Sequence, residues 1–173
     1  SFKSGYTVLK AHTSGHWLLT AVSFVLLVMT GLQGALQSYA GVSILIPHFK
    51  MALMAIILYL FTQSLIMFFF IGTGSSVKDF TKAHDIDPEP YRRTVKLKHL
   101  LFPVTMWNLT FMSIAFVLGG AVDRMGMWSW VHGLVFLLAM VHFVKTIRAQ
   151  HGCFKENVAI FTDLAAATDE AAP

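Results

Sequence analysis

Residues 51–77 read MALMAIILYLFTQSLIMFFFIGTGSSV, a run of 27 residues without one charged side chain. At 1.5 Å per residue, a helix of about 20 apolar residues crosses the hydrocarbon layer of a bilayer. Three further uncharged runs meet that length, at 11–49, 99–122 and 125–144. The four runs together predict an all-α integral membrane protein, a four-helix bundle with helices at about 13–38, 50–72, 100–121 and 126–147.

The composition of the 173-residue chain agrees with that class of protein. Hydrophobic residues make up 55% of it and charged residues 13%, whereas a soluble domain carries about 25% charged residues. So little polar surface cannot cover a particle in water, which excludes a soluble enzyme, a disordered chain and a nucleic-acid-binding module. The lipid bilayer is therefore a predicted partner and nucleic acid is not, despite the formal net charge of +4.

The basic residues are unevenly divided between the two sides that four spans define. Lys50 and Arg124 fall on one side, which leaves 11 of the 13 basic residues for the other side. Cytoplasmic segments of membrane proteins carry the excess of lysine and arginine. Both termini and a loop at 73–99 are therefore predicted to lie on the cytoplasmic side or its equivalent.

This predicted inner loop at 73–99 is the longest polar segment between two helices. Gly72-Thr73-Gly74 is expected to end helix two, because glycine readily terminates helices, and Val77–His84 is expected to form a short surface helix. The loop is interpreted either as a solvated, lipid-facing segment or as a docking surface for a partner subunit. Residues 156–173 are expected to form a flexible tail, so that the transmembrane domain covers 1–155.

Histidines are the candidates for chemistry in this chain. The predicted spans contain no carboxylate, and the single cysteine, Cys153, has no metal-ligand spacing around it and is expected to be an ordinary reduced thiol. The sequence holds eight histidines, and the depth of each in the membrane follows from its position along a helix. Two of them, His84 and His151, fall in polar segments outside the spans.

The other histidines form two layers across the membrane. His48 at the outer start of helix two and His132 in the outer half of helix four define the outer layer. His16 near the inner end of helix one and His142, about 15 Å further along helix four than His132, define the inner layer. Two further candidates lie near the inner layer: His12 and His99.

Two layers of paired histidines are the arrangement that two stacked b haems require. A low-spin haem takes two neutral imidazoles on opposite sides of its iron, supplied in a bundle by different helices. Each of these histidines could instead lie at the membrane interface, or be buried in the bundle and held there by hydrogen bonds. A third alternative is a metal bound by His12 and His16, which lie four residues apart on one helix face.

The first helix carries a longer pattern around its histidines. It begins Lys10-Ala-His12-Thr-Ser-Gly-His16-Trp17, continues through Phe24 and Leu26, and ends Met29-Thr30-Gly31-Leu32. This stretch resembles the first helix of the cytochrome b subunits of membrane-bound formate dehydrogenases and hydrogenases. That family also has a histidine at the start of helix two and two on helix four. The resemblance implies haem b as the cofactor, with the iron ligated by the pairs His16–His142 and His48–His132.

Two classes of function fit the sequence. The first is an electron-transfer subunit that holds one or two b haems, lacks substrate chemistry of its own, and passes electrons between a partner subunit of a respiratory complex and quinone. Its location would be a bacterial inner membrane or an equivalent energy-transducing membrane. A quinone headgroup needs hydrogen-bond partners, which His16, His99 or the inner loop could supply. The second class is a cofactor-free structural or accessory subunit of a larger membrane complex.

Overall fold

The computed structural model of the chain describes residues 2–41, 46–125 and 128–170, with side chains over 15–41, 46–125 and 128–167. All four long apolar runs are helical in it and could cross a membrane by length and composition. The all-α class and the four candidate spans predicted from the sequence are thereby confirmed. Within the described ranges the helices are α1 (Phe2–Ala40), α2 (His48–Ala83), α3 (Glu89–Met125) and α4 (Ser129–Glu170).

The four helices form a ring in which each packs against the next. α1 packs against α2, α2 against α3 and α3 against α4, and α4 closes the ring against α1. The turn between α2 and α3 spans only 84–88, so these two helices are antiparallel neighbours. We call the end of the bundle with this turn the inner end, following the charge distribution, and the opposite end the outer end.

Side chains that point away from the bundle are apolar over the middle of each helix. Exposed examples are Leu18, Val22, Val25 and Met29 on α1, Met54, Ile57, Phe61 and Phe68 on α2, Met106, Ile114 and Val117 on α3, and Leu134, Leu137 and Val141 on α4. Several polar side chains are fully buried between the helices instead, among them Gln63, Asn108 and Gln150. An apolar exterior around buried polar contacts is typical of a helical bundle whose solvent is lipid.

Helix α2 does not end at Gly72-Thr73-Gly74, as the sequence predicted, but continues to Ala83. A Cβ atom at Gly74 would lie 2.5 Å from Nζ at the flexible end of the Lys98 side chain, so Lys98 of α3 lies over this glycine and the helix continues through it. The predicted inner loop at 73–99 is therefore reduced to the turn at 84–88, and α3 begins directly after it.

Helix α4 likewise runs on through most of the segment from 156 onward that the sequence predicted as a flexible tail. Ile160 and Leu164 are buried there against the other helices. Arg93 of α3 bridges to two carboxylates of this segment, at 2.7 Å from Glu156 and 2.6 Å from Asp163. Apolar packing and two ion pairs thus hold the end of α4 in place.

The inner ends of α2, α3 and α4 form a three-helix extension of the bundle, which we call the inner extension (residues 75–83, 89–98 and 150–167). Its outward side chains are polar, as at Ser76, Asp79, Lys82 and Lys96. A helix satisfies its own backbone hydrogen bonds in water as well as in lipid, so it need not end at the membrane surface. The uncharged runs therefore mark the apolar part of each helix and not its full length.

Candidate cofactor site at the outer end

A cavity of about 700 Å³ opens between all four helices at the outer end of the bundle. Most of its lining is apolar, with Leu27, Ile56 and Phe136 among the walls. Two histidines line it, His48 from the start of α2 and His132 from the outer half of α4. A largely apolar cavity of this size with a few converging polar groups is the usual form of a cofactor site.

The ring of His132 is held by a hydrogen bond to the backbone. Its Nδ1 lies 2.9 Å from the carbonyl oxygen of Ala115 on α3, and because a carbonyl can only accept, Nδ1 carries the proton. The neutral ring then has its free electron pair on Nε2. A histidine that ligates a metal through Nε2 has its tautomer set in this way by a bond from Nδ1.

His48 stands at the first position of α2, directly after Pro47, whose fixed φ suits a helix start. Its side chain is half-buried, and its Nδ1 is shielded from solvent without a hydrogen-bond partner in the structure. A buried imidazole nitrogen without a partner costs free energy of desolvation. His48 therefore has bonding capacity at the cavity that the chain itself leaves unused.

Glycines provide the space that these two rings occupy. A Cβ atom at Gly34 of α1 would lie 2.8 Å from Cε1 of His48, and one at Gly119 of α3 would lie 3.0 Å from Cε1 of His132. Both distances are too short for ordinary contact. Each imidazole thus packs against the backbone of a neighbouring helix, and a larger residue at either glycine would require the ring to shift.

The structure does not bring the inner pair, His16 and His142, together. The buried ring of His16 lies 5.2 Å from the ring of Phe69 and 5.6 Å from that of Phe154. Phe154 is 12 residues beyond His142 on α4, which corresponds to about 18 Å along the helix axis. His16 therefore lies well below His142, whose own ring contact is with Phe111 at 5.4 Å.

The remaining histidines occupy separate surroundings. His84 stacks on Phe80 with ring centroids 4.2 Å apart, and His99 is exposed at the surface of α3. The ring of His151 lies 5.3 Å from that of Trp17 at the inner end. The side chain of His12 lies outside the described residues, so the predicted metal pair with His16 does too.

A buried polar layer crosses the centre of the bundle. The Tyr59 hydroxyl donates to Oδ1 of Asn108 at 2.5 Å, and Nδ2 of Asn108 donates to the carbonyl of Ala139 at 3.0 Å. Below them, Gln150 donates to Gln63 at 2.6 Å. Asn108 and Gln63 are polar residues in otherwise apolar spans, where hydrogen bonds between helices are the usual role. Gln150, the partner of Gln63, lies beyond the uncharged run of α4.

The described residues contain no group of three or more His, Cys, Asp or Glu side chains that could hold a metal ion. Cys153 is buried, with Sγ 4.0 Å from the carbonyl of Leu97 and no second thiol in the chain. Two histidines on different helices suit a cofactor that takes two axial ligands.

Comparisons with protein-family models, with curated proteins and with solved structures found no match for this chain. Its function is therefore inferred from its own residues.

Proposed function

We propose that this chain is a b-haem electron-transfer subunit of a membrane-bound oxidoreductase complex, in a bacterial inner membrane or an equivalent energy-transducing membrane. The observation that carries the proposal is the cavity between His48 and His132, in which the Nδ1–Ala115 bond leaves Nε2 of His132 available to iron. The chain would pass electrons between a partner subunit and quinone, and would have no substrate chemistry of its own.

The residues around the cavity match the needs of a haem. His48 on α2 and His132 on α4 are the residues that would hold the iron, since a low-spin haem takes two imidazoles. The walls are mostly apolar, which favours burial of a porphyrin ring. Gly34 and Gly119 allow the two imidazoles to lie back against α1 and α3 at the wall of the cavity.

When bound, the haem supplies a one-electron couple that the side chains of this chain lack. The chain's own contribution is to bind and orient it. The Ala115 carbonyl keeps the proton of His132 on Nδ1 and makes the imidazole a better donor. The apolar walls lower the local dielectric, which shapes the redox potential of whatever iron they surround. The proposal assigns one haem to the chain, because the inner histidines lie at different depths.

A visible spectrum of the purified, full-length chain tests this proposal. Reduction is expected to produce the α-band of a b haem at one haem per chain, and His132→Ala or His48→Ala should abolish it. His84→Ala is the matched control, because His84 is exposed at the α2–α3 turn and should leave the spectrum unchanged. Helicity and monodispersity of each variant establish that the bundle still folds.

The outcomes separate the two classes of function. No haem in the chain, or a haem that survives loss of both outer histidines, would refute the proposed site. Absence of haem together with stable assembly into a larger complex would favour the cofactor-free accessory subunit instead. If haem is present, the quinone partner is tested by adding a reduced quinone to the chain in lipid vesicles, which should reduce the haem at a rate that depends on quinol concentration.

The partner subunit is proposed to dock at an exposed polar surface such as the inner extension. The ion pairs found in the described residues do not include the outward lysines of the inner extension, such as Lys82 and Lys96. Chemical crosslinking of the native complex through these lysines would identify the partner. Crosslinks confined to the outer end would place the partner there instead.

A further inference from the structure

A second, smaller groove of about 230 Å³ lies at the inner end of the bundle, between α1 and α4. It is lined by Trp17 of α1 and by His151, Phe154, Lys155 and Val158 of α4. His151 lies 19 residues beyond His132 along α4, which corresponds to about 28 Å. This groove is therefore separate from the outer cavity, and its role is independent of the proposed haem.

The groove combines an apolar floor with two groups that can carry positive charge. His151 and Lys155 are four residues apart on α4 and so share one face of the helix, and both are exposed. Among the described residues neither takes part in an ion pair. The indole of Trp17 forms the opposite wall, with ring centroids 5.3 Å from His151 and 6.0 Å from Phe154.

The groove lies where the apolar outward row of α1 meets the polar outward row of α4. On α1 the side chain of Leu18, next to Trp17, is exposed, and the exposed apolar side chains of this helix continue from it toward the outer end. On α4 the apolar outward row ends at Val141, and the exposed side chains beyond it include Arg148 and Lys155. Tryptophan is enriched at this boundary between hydrocarbon and headgroups.

We propose that this groove binds an anionic glycerophospholipid, with its phosphate held by His151 and Lys155 and its first acyl carbons lying on Trp17 and Phe154. Basic pockets between transmembrane helices on the cytoplasmic side bind anionic headgroups in this way. Charge complementarity selects this occupant, because a neutral quinone or a zwitterionic lipid gains less from a lysine. The groove also lies on the side that carries 11 of the 13 basic residues of the chain.

Native mass spectrometry of the full-length chain in detergent tests the proposal, with phosphatidylglycerol and phosphatidylcholine as probes. Wild type should retain phosphatidylglycerol in preference to phosphatidylcholine. The double variant His151→Gln/Lys155→Gln should bind phosphatidylglycerol more weakly by a factor of about five or more, since loss of one basic residue near a charged headgroup already has an effect of about that size. The double variant Lys82→Gln/His84→Gln removes the same residue types outside the groove and should stay within about twofold of wild type.

Several results would overturn the proposal. Equal losses in the two double variants would mean that the attraction is diffuse and not located in the groove. Displacement of phosphatidylglycerol by inorganic phosphate would reveal a simple anion site, and displacement by a water-soluble quinone analogue would reveal a quinone site. If the first double variant does not fold, Lys155→Gln compared with Lys82→Gln gives the same test, and equal affinities would again refute it.

Discussion

Tyr59 and Asn108 connect three helices at the centre of the bundle, and loss of their hydrogen bonds is expected to lower the free energy of unfolding. Both side chains are 0% exposed. The hydroxyl of Tyr59 on α2 donates to Asn108 on α3, which in turn donates to the carbonyl of Ala139 on α4. No water in the hydrocarbon layer can replace these bonds.

The size of the effect follows from the number of bonds that each substitution removes. Tyr59→Phe removes one bond and keeps the ring contact with Phe143, whose centroid lies 5.0 Å away. Interhelical hydrogen bonds in membranes contribute about 0.6 kcal/mol on average and about 1.7 kcal/mol at most, so we expect a loss of about 1 kcal/mol. Asn108→Ala removes both bonds and leaves the tyrosine hydroxyl without its acceptor, so we expect about 2–3 kcal/mol.

Reversible unfolding by sodium dodecyl sulfate in mixed micelles, followed by circular dichroism, measures these changes. Tyr39→Phe is the matched control, because the Tyr39 side chain is 76% exposed at the outer end and its hydroxyl should contribute little. A double-mutant cycle between Tyr59→Phe and Asn108→Ala isolates the bond itself. If Tyr59→Phe destabilises no more than the control, or the cycle shows no coupling, the interpretation of this layer is wrong.

Three further predictions concern the inner extension, the outer cavity and the orientation. Arg93→Ala should destabilise the inner extension by about 1 kcal/mol and speed its proteolysis, whereas Arg92→Ala, which loses only exposed ion pairs, should have a smaller effect. Gly119→Ala should lower the haem content several-fold by displacing the His132 ring, while Gly72→Ala, which lies outside the cavity and has open space around its Cβ, should not. Ser75→Cys should react with a membrane-impermeant maleimide only from the cytoplasmic side, as the charge distribution predicts. The native cysteine is buried and should not react, and labelling from the outside would show that the predicted orientation is wrong.

The outer cavity shows what helical rise alone could predict. His48 and His132 were assigned to one layer because each stands near the outer end of its helix, and both line the same cavity. The partner groups of these histidines lay beyond sequence reasoning. Ala115 contributes only a backbone carbonyl and Gly119 only the absence of a side chain, so neither has a chemical signature of its own.

The inner histidines show where the same reasoning stops. Counting residues along α4 gives the distance between His132 and His142, but it does not give the height of α1 relative to α4. That height is set by side-chain packing, in which Trp17 meets His151 and His16 meets Phe154. His142 lies about three turns of α4 away from that level.

The sequence by itself determined four helices that are long and apolar enough to cross a membrane, because the length of an uncharged run does not depend on which helix packs against it. Only the tertiary structure decided how far each helix continues and which side chains meet. Gly74 packs under Lys98 where a helix end was expected, and Leu164 is buried where a tail was expected. Those outcomes depend on contacts between residues far apart in the chain, which local pattern and composition do not contain.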